Sequence, residues 1–343
     1  MAASRGYHNY RGRKPRGKIA LAVLLVLVIL GAAAVMLLQQ HIIYDSSGTP
    51  QLENPWKKDP VEEDEAPVDL DLVIQEPESL KAEEIHAFSM PKGPLTQAEY
   101  ESACAAADPA CNAVAVTVKD RSGKVYFDSV AAVSGAVNVE ADTDAALAGL
   151  TGENSKYYTI ARFSCFSDPK AANSDVEGMG LKNTGGFIFY DGRNSQWLDP
   201  AKAAARAYLC ELAQEVAAMG FDEILLTDVS YPTEGKLDKI AYGEAARNAN
   251  LSTFLEELRE TLEPYSVAIS MEVPSSVLST GREDSAGLIL SEIAPKVDRV
   301  YAAASPDEIM SFSSAVTFAC TTTTFVPELA EDASPIEGNY LIS

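Results

Sequence analysis

DPAKAAARAYLCELAQEVAAMGFDEILLTDVSYP, residues 199–232, is a helix pattern that runs directly into a strand pattern. Asp199 is placed to cap the helix, because its carboxylate can accept a first-turn N–H. Pro200 suits the first helical position, where no N–H is required. Ala205, Leu209, Leu212, Val216 and Met219 recur at helical spacing and define one apolar face. Gly220 ends the helix, since glycine enters the left-handed region without a Cβ penalty. Phe221 to Leu226 then reads as a buried strand with a polar tip, Thr227-Asp228, and a Ser-Tyr-Pro turn. A helix feeding a strand that ends in a carboxylate is the repeating unit of an α/β barrel, whose chemistry sits where the strands end.

Outward from this unit, strands and helices alternate. Strand patterns fall at 84–90, 112–118, 157–163, 265–273, 297–302, 315–320 and 339–343. Helical patterns fall at 95–107, 142–150, 251–262, 285–294 and 306–312, the first with Thr96 as its cap. Alternation predicts a parallel sheet, and eight such units close as a (β/α)8 TIM-type barrel over residues 81–343.

The segment before the barrel differs in composition. Residues 1–18 hold six basic groups and no acid, as a basic cytoplasmic tail does. Ile19 to Leu38 is an uninterrupted apolar run of twenty residues, long enough for one membrane crossing. The positive flank predicts an N-terminus in the cytoplasm and a C-terminal domain outside it, with the helix as an uncleaved signal anchor. Residues 39–80 form an acidic, proline-rich linker, kept extended by Pro50, Pro55, Pro60, Pro67, Pro77 and the Glu62–Glu65 acidic run.

Formal charge is -23, and removing the six positive charges of the tail leaves -29 on the remainder. That surface repels phosphate backbones, which argues against nucleic acid as a partner. Five cysteines occur without a CxxC, and only His86 of three histidines falls in the barrel, so no zinc set is expected. Cys104 and Cys111 are either a disulfide or two small buried residues. No GxSxG elbow or P-loop occurs, and the glycines lack dinucleotide spacing. Neither a metal nor another cofactor is expected.

Several short stretches carry a resemblance: Asn112-Ala113-Val114 with Val118-Lys119-Asp120 and Gly123; Ala161-Arg162-Phe163 with Phe166 and Asp168-Pro169; Trp197 with Pro200; Gly220-Phe221-Asp222-Glu223-Ile224 with Pro232; Ser270 with Val273; and Val297-Asp298. In these the chain resembles a glycoside-hydrolase (β/α)8-barrel family of bacterial membrane-anchored surface proteins, from about Ile85 onward. The resemblance implies an extracytoplasmic protein that acts on or binds an envelope or environmental polysaccharide. It also implies an aspartate where this chain has Thr227, an aromatic at Asp228, an arginine at Ser230 and an aspartate at Thr117. Those departures keep open an inactive barrel that serves as a carbohydrate-binding or scaffold module.

Hydrolysis of a glycosidic bond needs two carboxyl groups about the scissile bond. Glu272 and Asp228, at the tips of neighbouring strands, are the catalytic candidates, Glu272 as general acid and Asp228 as nucleophile or base. Strand alternation sends Thr227 and Asp228 to opposite faces, so Asp228 reaches the mouth only if the backbone departs from the pleat. Lys119 and Arg162 are read as groups that bind sugar hydroxyls or hold carboxylates, or else as loop salt bridges such as Arg162 with Asp120. Trp197 and Tyr231 offer aromatic faces for a sugar ring or for the core, and Thr227 offers a hydroxyl at the mouth. Asp222 and Glu223 begin their strand, far from the mouth, where they are expected to be solvated or paired with lysine.

Overall fold

The computed structural model describes residues 42–44, 50–52, 84–152 and 155–343. The basic tail, the apolar run from Ile19 to Leu38 and most of residues 39–80 lie outside them. Among the described residues no helix is long and apolar enough to cross a membrane. The chain divides into two units, Met1–Val73 and Ile74–Ser343. In the first, Ile42–Tyr44 and Pro50–Leu52 pair antiparallel inside the segment predicted to be an extended linker.

The second unit is built on eight parallel strands that close into a barrel. They are β1 (His86–Ser89), β2 (Ala113–Lys119), β3 (Tyr158–Ser164), β4 (Glu223–Thr227), β5 (Ala268–Glu272), β6 (Arg299–Ala303), β7 (Thr324–Leu329) and β8 (Tyr340–Ile342). Each pairs with the next, and β8 returns to β1 through Tyr340 opposite His86. The helices between them are α1 (Gln97–Ala106), α2 (Thr143–Thr151), α3 (Pro169–Ser174), α4 (Ala203–Ala218), α5 (Arg247–Leu262), α6 (Ser275–Thr280), α7 (Leu290–Ile293) and α8 (Ile309–Ala319).

Strand alternation sorts the apolar residues into two cores. Val114, Val116, Phe163, Ile224, Leu226 and Met271 point outward and pack in the layer shared with the helices. Ala87, Ala115, Ile160, Leu225, Val326 and Leu341 point inward and fill the barrel. Each fully buried Val, Leu, Ile, Phe or Met side chain among them contributes about 1.5–3 kcal/mol. The helical spacing read in α4 has the same basis: Ala205, Leu209, Leu212 and Val216 are all fully buried. Gly220 follows with φ +88°. Thr96 caps α1 in a reciprocal capping box with Glu99.

Three sequence expectations are corrected. The start of α4 is Ala203, with Lys202 at the cap position, while Asp199 instead holds the Ala201 N–H in the preceding turn at 3.0 Å. Residues 315–319 of the segment expected as the seventh strand belong to helix α8, and Cys320 caps it. Phe312 and Val316 lie one helical turn apart and are both buried, a period-four contact that a strand cannot make. The seventh strand lies further on, disguised by Pro327, which gives no N–H to a ladder. The expected helix over 285–294 shrinks to α7 and a 3-10 turn, Ala294–Lys296.

The lower end of the barrel is closed by charge as well as by carbon. Glu223 is fully buried and its Oε2 accepts from Arg299 Nη1 at 2.7 Å, so it is neither solvated nor paired with lysine. The same nitrogen donates to Tyr158 Oη at 3.1 Å. Burial pushes the Tyr158 and Tyr301 hydroxyls well above the usual phenol range, and the Glu223 charge adds to it. Asp222 spans the β3–β4 seam, accepting from the Thr159 N–H and hydroxyl at 2.9 and 3.0 Å.

Candidate active site

A cavity of about 200 Å³ opens at the C-terminal ends of the strands. Arg121 from the β2 loop, Asp191, Arg193 and Trp197 from the long β3–α4 excursion, Asp228 beyond β4, and Glu272 at the end of β5 all line it. The excursion is held in place by short antiparallel bridges, Lys182 to Ile188 and Gly180 to Leu198.

Asp228 reaches this cavity because the backbone leaves the pleat. Its φ is +53°, one of two positive values among the described non-glycine residues. Aspartate tolerates that region better than most residues do. The turn brings Oδ2 within 2.7 Å of the Ser164 hydroxyl, which donates to it, and Oδ1 within 3.3 Å of Arg121 Nη2. Thr227, the last residue of β4, is half-buried and its carbonyl accepts from the Cys165 N–H at 2.9 Å.

Glu272 ends β5 and meets Arg162, whose Nη2 donates to Oε2 at 2.7 Å. Arg162 therefore holds a carboxylate, and not Asp120, which is engaged by Ser122, the Lys124 N–H and the Tyr126 hydroxyl. The same Arg162 nitrogen lies 3.1 Å from Oε1 of Glu328, without the alignment of a hydrogen bond. Glu328 is the functional candidate that the sequence reading misses. It occupies the next-to-last position of β7, and its side chain is 9% exposed against 35% for Glu272. Burial raises the Glu328 carboxyl to about 7, with a further push from the Glu272 charge that Arg162 only partly offsets. The signal lay in TFVPEL, an apolar run with a glutamate near its end. The misplaced seventh strand hid it.

Two expected sugar contacts are withdrawn from the mouth. Lys119 is 1% exposed. A register shift in β2 between Thr117 and Lys119 turns it away from the barrel interior, and its Nζ lies 2.9 Å from Asp168 Oδ2 and donates to the Ser164 carbonyl at 2.7 Å. Tyr231 is 1% exposed; its hydroxyl accepts from Asn250 Nδ2 at 2.9 Å and its ring packs edge-on against Tyr242. Neither lines the cavity. Trp197 is intermediate between its two readings. It is largely buried, its Nε1 donates to Asp191 Oδ2 at 2.9 Å, and part of the side chain still walls the cavity.

Cys104 and Cys111 are free thiols. Cys165 is fully buried, and burial pushes its thiol far above the usual range, which disqualifies it as a nucleophile. Among the described residues no group of three His, Cys, Asp or Glu is arranged to hold a metal ion.

A closed eight-stranded parallel barrel with carboxylates and arginines gathered at its C-terminal mouth defines a (β/α)8 domain with a charged rim. The chain belongs to the family described as "Putative glycosyl hydrolase domain", which matches residues 99–317. No curated protein matches the sequence. Among solved structures, the glycoside hydrolase domain of PgaB (BpsB) from Bordetella bronchiseptica is similar over 76% of this chain and 93% of its own, at 15% identity and a TM-score of 0.54. That likeness is one of fold. A hypothetical protein from Ruminiclostridium thermocellum shares 24% identity over 51% of this chain and 88% of its own, with a TM-score of 0.43.

Proposed function

We propose that the barrel engages a polysaccharide across its mouth and cleaves a glycosidic bond between Asp228 and Glu272. The observation that carries this reading is that both carboxylates line one cavity at the strand ends, the position where barrels of this class place their chemistry. The glycoside hydrolase domain of PgaB (BpsB), similar in fold, supports the substrate class. Arg121 and Arg162 fix the two carboxylates, and Trp197 gives one wall an aromatic edge. No cofactor is required by this arrangement. The sequence supports a location as well: an anchor from Ile19 to Leu38 with the barrel outside the cytoplasm.

One observation favours a second reading, binding without turnover. Arg162 donates to Glu272 at 2.7 Å, and a carboxylate so held is a poor general acid. Thr227 also stands where the resemblance expects an aspartate.

The test is release of reducing ends by the full chain from a panel of neutral and amino-sugar polysaccharides, with binding measured in parallel and Glu272→Gln run beside it. Turnover that falls at least about a hundredfold in the variant supports cleavage. Turnover unaltered by the substitution overturns the assignment of Glu272, and saturable binding without turnover selects the second reading. Protease accessibility of the barrel in intact cells tests the location.

A further inference from the structure

Arg162 offers one positive charge to two carboxyl groups. Its Nη2 lies 2.7 Å from Glu272 Oε2 and 3.1 Å from Glu328 Oε1. The two carboxyl oxygens therefore stand no farther apart than those contacts laid end to end, about 6 Å. At such a spacing, with one of the two nearly enclosed, the carboxyl groups share a single close guanidinium, and one carboxyl retains its proton. The geometry says which. Glu272 faces the cavity, is about a third exposed and has the aligned, shorter bond. Glu328 is nearly enclosed, and its contact with Arg162 is the longer of the two.

We propose that Glu328 is a positioning residue of the mouth: it carries the proton of the Glu272–Glu328 pair at neutral pH and so leaves Arg162 to orient Glu272 toward the cavity. The charged groups facing Glu328 are Arg162 from β3, Glu272 from β5, Lys92 from the loop after β1, and Glu308 at the cap of α8, across a second cavity that Glu328 also lines. Burial and the Glu272 charge both favour the neutral form, and Arg162 and Lys92 oppose it. When Glu328 ionises, two carboxylates compete for one guanidinium, and Glu272 loses its fixed orientation.

This inference deepens the proposed function by naming what sets the Glu272 rotamer, yet it is read without turnover. The full chain, labelled with glutamate carrying 13C at the side-chain carboxyl, is titrated by NMR, with Glu328→Gln and Glu272→Gln beside it. One glutamate resonance is expected to titrate near pH 7, to vanish in Glu328→Gln and to move down by at least one pH unit in Glu272→Gln. That downward move in Glu272→Gln is one that a purely structural glutamate would not show. Absence of any glutamate midpoint between pH 6 and 8, or one that persists in Glu328→Gln, overturns the proposal. A chain that titrates in this way and cleaves no glycan upholds the proton assignment and defeats only the catalytic reading.

Discussion

Lys119 and Asp168, both wholly enclosed, face one another at 2.9 Å between Nζ and Oδ2. The pair ties the end of β2 to the start of α3, because Asp168 Oδ1 also accepts the Ala171 N–H at 2.8 Å as the helix cap. Removing one partner of a buried pair leaves an uncompensated charge, which typically costs about 3–5 kcal/mol. Lys119→Met is expected to lower the urea midpoint accordingly. The double variant Lys119→Met/Asp168→Asn should recover part of the loss, as a double-mutant cycle by urea denaturation will show.

Gly123 bears on the same carboxylate. A Cβ built there meets Asp168 Oδ1 at 2.2 Å, and the residue has φ +76°. Gly123→Ala therefore combines a left-handed penalty with displacement of a group that caps a helix and neutralises a lysine. A loss of about 2–4 kcal/mol is expected, beyond the roughly 1–2 kcal/mol of the backbone term alone. Thermal denaturation against Gly135→Ala is the control, because that glycine has the same φ and a Cβ added to it would meet nothing within 4 Å.

Asp228 separates backbone from chemistry. Asparagine accepts left-handed φ about as well as aspartate does, so Asp228→Asn should change stability by less than about 1 kcal/mol. It should nonetheless cut glycan turnover or affinity by more than tenfold. Asp228→Val forbids the turn and is expected to cost about 1–2 kcal/mol. Paired denaturation and glycan assays read the two effects separately.

Glu328 gives stability a pH dependence of defined sign. In the fold its carboxyl holds a proton up to about 7, against an ordinary value of 4.5. Between those limits the native state binds a proton that the unfolded chain has released, so stability falls as pH rises. The contribution is fully present below about 4.5 and gone above about 7. Its size is at most about 3 kcal/mol. Glu328→Gln is expected to remove that slope, seen as the difference between the two chains in urea midpoints from pH 4 to 8.

The barrel was legible because its repeat obeys local rules. Gly220 and the helical face of α4 from Ala205 to Val216 are read from residue type and spacing alone and stand in the fold, with Met219 half-buried at the C-cap. The seventh strand was not legible, since α8 is rich in β-branched and aromatic residues and the true strand contains a proline. Glu272 was placed at the mouth by its strand. Asp228 depended on one left-handed residue, which alternation cannot foretell. Lys119 and Tyr231 lie away from the cavity for reasons beyond sequence: a register shift in β2 and a hydrogen-bond partner, Asn250, nineteen positions away. Glu328 and Arg162 meet across 166 positions of chain, and no local pattern joins them.

The Glu223–Arg299 pair with its tyrosines, together with the apolar side chains that fill the interior, leaves the barrel no through passage. A polymer cannot be threaded through a cylinder whose floor is sealed. Any glycan taken up under the proposed function would therefore have to come and go by the one open rim.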